Sequence, residues 1–187
     1  MKPTVVVLAA GQGARFRASG GTTGKLQAPL CGRPVLDHVL DAVRSSKLPW
    51  HVVTEHDTAH HEQQGMGTSI AVGVAATADA GGWLILPGDL PLIQASTLWA
   101  VADAMAHHVV VVPQYQGESG HPVGFGAQCG LDLQALRGDQ GARSVVKTHG
   151  PAHQMPCDDP GCVWDVDTLE RLQRAEAWIV GGRRGSL

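Results

Sequence analysis

The sequence predicts an α/β fold in which helices cover both faces of a mostly parallel sheet. Short β-branched runs alternate along the chain with segments of helical periodicity. The strand-like runs are continuously apolar, which is typical of strands that are buried on both faces. A length of 187 residues suits one domain with a sizeable core. We therefore expect a single Rossmann-like domain over residues 1–180 and a mobile tail over residues 181–187.

The predicted elements follow one another in regular alternation over the first part of the chain. Strands are expected at TVVVLAA, WHVVTE, GGWLILPGD and VVVVP. Helices are expected at PVLDHVLDAVRSS, GTSIAVGVAATAD and ASTLWAVADAMAHH. In the first of these helices, Val35, Val39 and Val43 recur at helical spacing after Pro34. Because parallel strands need crossover connections, such helices are the expected links between the strands.

The alternation loosens after Gln116. The segment GESGHPVGFG is rich in glycine, and within it GHPVGFG is too rich in glycine for an ordinary strand. Two further helices are expected, at residues 130–136 and 168–180.

Composition excludes several classes of partner. The chain has 14 basic and 17 acidic side chains and a net charge of −3, which gives no field for attracting nucleic acid or an anionic membrane surface. No apolar run reaches the roughly 20 residues that cross a bilayer. Four cysteines without a CxxC pair, and a beginning without a long apolar run, favour a cytoplasmic location.

The first strand ends in a glycine-rich, cationic loop, VVVLAAGQGARFR. Open parallel sheets bind ligands beyond the carboxyl ends of their strands, so this loop lies where a site is expected. A dinucleotide fingerprint is excluded because Phe16 occupies its third glycine position. A P-loop is excluded because SGGTTGKL has Ser19 in place of the first glycine and Leu26 in place of the hydroxyl residue. What remains is either a triphosphate cradle aided by Arg15 and Lys25, or a simple tight turn.

Acidic residues at two places indicate a cation site. Asp89 follows an apolar strand, so its carboxylate is expected at the carboxyl edge of the sheet, although a turn role is the alternative. Asp165 and Asp167 alternate on an extended segment and therefore share one face. The alternative for this second segment is helix capping by Asp167 together with Glu170.

An ordered set of motifs resembles the signature of the MobA-like nucleotidyltransferases, the family related to molybdenum cofactor biosynthesis. The set comprises LAAGQGARF with a following lysine, PLCGRPVLDHVL, GMGTSIAVGV, LPGDLPLI, GHPVGFG, LRGDQGAR and DVDT. Within the family, the chain is most similar to the molybdenum cofactor cytidylyltransferases. Two departures are visible: the spacer RASGGTTG before Lys25 is longer than usual, and DVDTLERL stands where the family has DIDTPEDL.

The resemblance implies a fold of the nucleotide-diphospho-sugar transferase type and Mg²⁺-dependent transfer of CMP from CTP to molybdopterin or molybdenum cofactor, with release of pyrophosphate. It implies that Lys25, Arg15 and Asp89 are catalytic residues. It also implies that Asp89 and Asp167 are metal ligands, with Asp165 as a helper. Whether Asp165 or Asp167 touches the metal stays open. The residues implied in nucleotide binding are Leu8, Ala9, Ala10, Gly11, Gly13, Arg15, Lys25, Gly65, Met66, Gly67, Thr68 and Ser69. Thr68 or Ser69 is also expected as a helix N-cap.

Three residues are expected on the acceptor side, His121, Arg137 and Arg143, and the RGDQGAR motif also offers Asp139 there. The alternatives are an incidental surface histidine and a turn held by an Asp–Arg pair. Ala10 stands where related guanylyltransferases have a second glycine, which favours CTP over GTP. GTP, another phosphorylated acceptor, and a non-catalytic carrier of molybdenum cofactor or nucleotide remain alternatives. A molybdoenzyme or its maturation chaperone is the implied protein partner.

Overall fold

A seven-stranded sheet forms the centre of the molecule. The structure is a computed structural model that describes residues 1–182. Seven strands build the main sheet, and two short strands, β2 and β3, form a separate hairpin. The strands are β1 (Thr4–Ala9), β2 (Pro29–Leu30), β3 (Arg33–Pro34), β4 (Trp50–Thr54), β5 (Gly82–Pro87), β6 (Val110–Tyr115), β7 (Glu118–Ser119), β8 (Val123–Gly126) and β9 (His153–Pro156).

The main sheet has the order β4-β1-β5-β8-β6-β7, and β9 also pairs with β6. β1 runs parallel to both β4 and β5, and β6 runs parallel to β9. β8 is antiparallel to β5 and β6, and β7 is antiparallel to β6. Among the described residues, five of the seven strands therefore run in one direction, namely β1, β4, β5, β6 and β9, which confirms the prediction of a mostly parallel sheet.

Helices cover both faces of this sheet. They are α1 (Ala14–Ala18), α2 (Val35–Ser46), α3 (Glu55–Thr58), α4 (Met66–Ala76), α5 (Ala95–Ala104), α6 (Gly130–Gln134), α7 (Arg143–Thr148) and α8 (Leu169–Val180). Because side chains alternate along a strand, Val5 and Val7 of β1 face one apolar core, which includes residues of α2 and α5. Val6 faces the other core, which includes residues of α4 and α6. The expected layering is confirmed.

The glycine-rich segment contains a strand, contrary to the sequence expectation. β8 lies between β5 and β6 and pairs with both. A Cβ at Gly124 would lie 2.7 Å from Sδ of Met105, just beyond the end of α5. Glycine at this position thus allows Met105 to pack closely against the strand. The glycine content that argued against a strand is therefore required for the packing of β8.

The C-terminal helix α8 packs on a third apolar cluster that includes Phe16, Leu30 and Val166. Residues 181 and 182 form a turn after this helix, while residues 183–187 of the predicted mobile tail lie outside the described residues. Within residues 1–182, no helix combines the length and apolar character needed to cross a membrane.

Candidate active site

A cavity of ≈ 510 Å³ opens beyond the carboxyl ends of β1 and β5. Its walls include Gly11 from the loop after β1, Gly88 and Asp89 after β5, and the start of α4. Several of the residues that the sequence indicated for nucleotide binding line it: Leu8, Ala10, Gly11, Lys25, Gly65, Met66 and Ser69. The sequence did not indicate several other lining residues: Gln12, Ala14, Leu26, Gln64, Pro87 and Gly88. Asp139 also lines the cavity, although the sequence indicated it for the acceptor side.

Other residues of the proposed nucleotide set do not line the cavity: Ala9, Gly13, Arg15, Gly67 and Thr68. Gly13 has a φ of 61°, and a Cβ there would lie 2.9 Å from Cβ of Lys25. Gly13 therefore allows the loop after β1 to pass closely over the lysine. Gly13 thus affects the site by leaving room for Lys25.

The start of α4 differs from the N-cap expectation. The helix begins at Met66 after Gly65, so Thr68 and Ser69 lie within its first turn. The hydroxyl of Ser69 donates to the carbonyl of Gly65 at 3.0 Å, and that of Thr68 donates to the carbonyl of Gln63. Both hydroxyls thus bond backward to carbonyl oxygens, and the N-cap interpretation is wrong.

Three carboxylates converge beside the cavity. Asp89, Asp165 and Asp167 each offer an oxygen, and these oxygens all lie within 4.8 Å of one another. Asp89 follows β5, and its carbonyl accepts a hydrogen bond of 2.9 Å from the amide of Val166. Because Val166 is fully buried, the residues on either side of it turn their side chains the opposite way, toward Asp89.

Helix capping is performed by a neighbour of this triad. Thr168 is the N-cap of α8, and its hydroxyl accepts a hydrogen bond of 3.3 Å from the amide of Arg171. The alternative reading of Asp167 as a capping residue is therefore wrong. Its carboxylate is left for the acid triad.

Basic side chains neutralise the triad. Nζ of Lys25 lies 2.5 Å from Oδ2 of Asp89 and 2.7 Å from Oδ1 of Asp167. Arg15 pairs with the other oxygen of Asp167, and Nη2 of Arg171 lies 2.7 Å from Oδ1 of Asp165. The side chains of Lys25 and Asp89 are each only 14% exposed. In contrast, that of Arg15 is 83% exposed, so this arginine can leave Asp167 readily.

The protonation of these groups follows from their surroundings. Burial by itself lowers the pKa of Lys25, but the charges of Asp89 and Asp167 and their hydrogen bonds raise it above its ordinary value. Burial raises the pKa of Asp167, but the bond from Lys25 and the charges of Lys25 and Arg15 bring it below its ordinary value. The pKa of Asp165 is raised, chiefly by burial and also by the charges of the other two acids. Lys25 and Asp167 are consequently both charged at neutral pH.

The triad fits a hard divalent cation. Oδ1 of Asp89 is buried and has no hydrogen-bond partner among the described residues. Buried polar atoms are normally satisfied, so an orphaned carboxylate oxygen on a residue of this acid cluster fits a ligand position for Mg²⁺ or a similar ion. Asp89, Asp165 and Asp167 are the residues that could hold it.

His121 lies near this acid cluster. Its amide donates to the carbonyl of Cys162 at 2.8 Å. Burial lowers the pKa of His121, while the negative charge of Asp89 acts in the opposite direction. The imidazole is therefore neutral at physiological pH, and it differs from an incidental surface histidine by its burial and its acidic neighbour.

The two arginines expected on the acceptor side are placed differently. Nη1 of Arg137 donates to the carbonyls of Gln134 and Leu136 at 2.8 and 2.7 Å, so its guanidinium holds the end of α6. Arg143 is the first residue of α7 and is exposed. Neither arginine lines the cavity. The structure thus does not bring them together with the triad.

Comparisons with known proteins bear on the fold and on the family of the chain. Bifunctional protein GlmU from Xanthomonas oryzae is 32% identical over 139 residues, which cover 65% of this chain and 29% of that protein. The chain thus spans less than a third of the length of this curated relative. A structure of Rv0371c from Mycobacterium tuberculosis in complex with manganese has 23% identity and a TM-score of 0.72, with 95% of this chain and 99% of that chain covered.

A structure of molybdopterin-guanine dinucleotide biosynthesis protein A from Archaeoglobus fulgidus has 15% identity and a TM-score of 0.67, with 95% of this chain and 99% of that chain covered. At these identities the structural likenesses confirm the fold alone. The family model described as the MobA-like NTP transferase domain matches residues 5–154, which is most of the chain. This match confirms the resemblance seen in the sequence and makes the chain a member of a family of transferase enzymes: it belongs to the MobA-like NTP transferases.

Proposed function

We propose that the chain is a nucleotidyltransferase that transfers CMP from CTP to molybdopterin or molybdenum cofactor, with release of pyrophosphate and dependence on a divalent cation such as Mg²⁺. The observation that carries this proposal is the triad of Asp89, Asp165 and Asp167 at the edge of a cavity of ≈ 510 Å³. Lys25 bridges two of these acids, Asp89 and Asp167. That volume lies within the usual range for small-molecule sites.

The reaction needs alignment and charge compensation but no protein nucleophile. A phosphate oxygen of the acceptor bonds to the α-phosphorus of CTP, and the bond from that phosphorus to the bridging oxygen breaks, so that pyrophosphate leaves. Lys25 and Arg15, which hold Asp167 in the free protein, can donate instead to the phosphates of the bound nucleotide. The backbone around Gly11, which lines the cavity, can approach the phosphates closely.

Asp89, Asp165 and Asp167 would hold the cation, as the orphaned Oδ1 of Asp89 supports. When bound, a divalent cation neutralises phosphate charge and orients the reacting oxygens. A related structure in complex with manganese also supports a divalent cation here, without deciding for Mg²⁺.

On the acceptor side, we keep His121 as the proposed contact because it lies near Asp89. None of the three acceptor-side residues lines the cavity. Arg137 has less support because its guanidinium is bonded to backbone carbonyls, and Arg143 because it is an exposed residue at the start of α7. CTP is favoured by Ala10, which lines the cavity. GTP and another phosphorylated acceptor remain the nearest alternatives, and the name of the Archaeoglobus fulgidus relative points to guanine for that protein.

A carrier of nucleotide or molybdenum cofactor is the second candidate. A carrier needs a binding cavity but no catalytic groups. In this chain Lys25 and the proposed metal-binding acids are all present and converge, which favours the enzyme. The molybdoenzyme or chaperone partner and the cytoplasmic location stay predictions.

The test is an assay of pyrophosphate release from CTP, GTP, UTP and ATP, each with and without molybdenum cofactor, in the presence of Mg²⁺ or Mn²⁺. We expect release only with the acceptor present, and most rapidly from CTP. Asp89→Asn is the inactive control. Tight binding of nucleotide or cofactor without any release would support the carrier and refute the enzyme.

A further inference from the structure

An acidic side chain lines the cavity that we assign to a polyanionic nucleotide. Asp139 contributes to its wall and is an exposed residue. A carboxylate repels phosphate groups and attracts N–H and O–H donors. A nucleotide carries such donors only on its base and its ribose. Asp139 is therefore matched to the uncharged part of the ligand.

The turn that carries Asp139 is anchored to the start of α4. The amide of Gly138 donates to the hydroxyl of Thr68 at 3.0 Å, and the amide of Gly67 donates to the carbonyl of Gly138 at 2.8 Å. The turn is closed internally as well, because the amide of Arg137 donates to Oε1 of Gln140 at 3.1 Å. These bonds fix the backbone on both sides of Asp139.

Two glycines of the GMGTS motif make this contact sterically feasible. Gly65 has a φ of 150°, and a Cβ there would overlap Oδ1 of Asp139 and the carbonyl group of Gly138. A Cβ at Gly67 would lie 2.6 Å from the carbonyl oxygen of Gln140. Glycine at both positions thus leaves room for the turn. Gly67 and Thr68 do not line the cavity, but they hold the turn that carries Asp139.

Asp139 and Asp89 are attached to the cavity wall by different elements of the fold. The helix α4, to which the turn is attached, packs against β1 and β4. Asp89 follows β5, which lies on the other side of β1 from β4. If the phosphates are held by Lys25 near Asp89, a nucleotide that crosses the end of β1 presents its base toward Asp139.

We propose that Asp139 reads the base by accepting a hydrogen bond from an exocyclic amino group. This inference rests on the nucleotide site of the proposed function. The N4 amino group of cytosine can donate a hydrogen bond to a carboxylate. Uracil has the acceptor O4 at the same position, so the carboxylate would face another acceptor and receive no hydrogen bond. Loss of a hydrogen bond to a charged group, together with an unpaired acceptor, discriminates strongly between such close analogues.

The experiment compares dissociation constants for CTP and UTP, measured by calorimetry in the presence of Mg²⁺, for three proteins. These are the wild type, Asp139→Asn and Asp103→Asn. Asp103 is an exposed residue of α5 outside the cavity, so its substitution removes the same charge without touching the site. We expect the wild type to prefer CTP, and we expect that preference to fall by about tenfold in Asp139→Asn, because an asparagine amide can donate to O4 of uracil. Asp103→Asn should keep the wild-type ratio.

An unchanged CTP-to-UTP ratio in Asp139→Asn would overturn the inference. Equal weakening of both nucleotides, accompanied by lost discrimination between CTP and dCTP, would assign Asp139 to the ribose and would also overturn it. If the protein selects GTP, the matched pair is GTP and ITP, which differ in one amino group, and the same ratio decides. A protein that prefers CTP to UTP through Asp139 but never releases pyrophosphate would refute the proposed function and leave this inference intact.

Discussion

The substitution Gly11→Ala separates ligand contact from backbone strain. A Cβ at Gly11 would meet no heavy atom within 4 Å, and the residue does not have a left-handed φ. Its added methyl group therefore costs the free protein little, and reduced freedom of the unfolded chain can stabilise the variant by about 0.4–1 kcal/mol. Because Gly11 lines the cavity, the same methyl group would collide with a triphosphate held against the loop.

The magnitude follows from binding linkage. A ligand at about 100 times its dissociation constant stabilises the folded state by roughly 2.7 kcal/mol. For a domain of this size, 1 kcal/mol corresponds to about 2–4 °C in Tm, so CTP with Mg²⁺ should raise the wild-type Tm by about 5–11 °C. We expect Gly11→Ala to keep the unliganded Tm of the wild type, or exceed it slightly, and to lose most of this shift.

Gly13→Ala is the matched control in the same loop. Gly13 has a φ of 61°, and its Cβ would lie 2.9 Å from Cβ of Lys25, so this variant should lose about 1–2 kcal/mol of stability without any ligand. Thermal unfolding of both variants, with and without CTP and Mg²⁺, measures the two effects. A Gly11→Ala protein that retains the full CTP-induced shift would show that this loop does not cradle the nucleotide.

Three further predictions concern the acid triad. Asp89→Asn should abolish pyrophosphate release and leave the Tm within a few degrees of the wild type, because the asparagine oxygen can still accept from Lys25 while its amide takes the place of the orphaned oxygen; normal activity would exclude Asp89 as a metal ligand. Lys25→Met should weaken CTP binding far more than cytidine binding, and equal losses in calorimetry would make Lys25 purely structural. The lowered pKa of Asp167 means that its pairing stabilises the protein above the ordinary pKa of aspartate, near 3.9, and that this stability is lost as the pH falls through the lowered value. Urea unfolding between pH 7 and pH 3 should therefore show a shallower decline for Asp167→Asn than for the wild type; identical slopes would contradict the pairing.

The members of the acid triad were predictable because the position of each one depends on the sequence immediately around it. An apolar run that ends at Asp89 fixes that residue at the sheet edge, and the two-residue spacing of Asp165 and Asp167 puts both on one face. The sequence could not show that Val166 pairs with the backbone of Asp89, which is the long-range bond that joins the two segments. In this case the family motifs supplied the missing association.

The sequence indicated Asp139 for the acceptor side, but its position in this cavity was beyond such reasoning. Its place in the cavity depends on the approach of residues 137–140 to Gly65 and Gly67, some seventy positions earlier in the chain, and no periodicity reports a contact of that kind. The strand β8 was misjudged for a related reason. Glycine weakens an isolated strand, but at Gly124 the close approach of Met105 outweighs that weakness, and only the tertiary structure reveals it.

The long spacer before Lys25 shows how an unusual length can be accommodated without displacing the lysine. The spacer folds back on itself, since the amide of Gly21 donates to the carbonyl of Phe16 at 3.1 Å. The hydroxyl of Ser19 also donates to that carbonyl and accepts a bond of 3.0 Å from the amide of Leu169, the first residue of α8. The extra residues are thus attached to the helix that directly follows the segment carrying Asp167. Because the spacer and that segment are fixed to each other, Lys25 reaches Asp167 although its distance along the chain from the glycine loop departs from the family pattern.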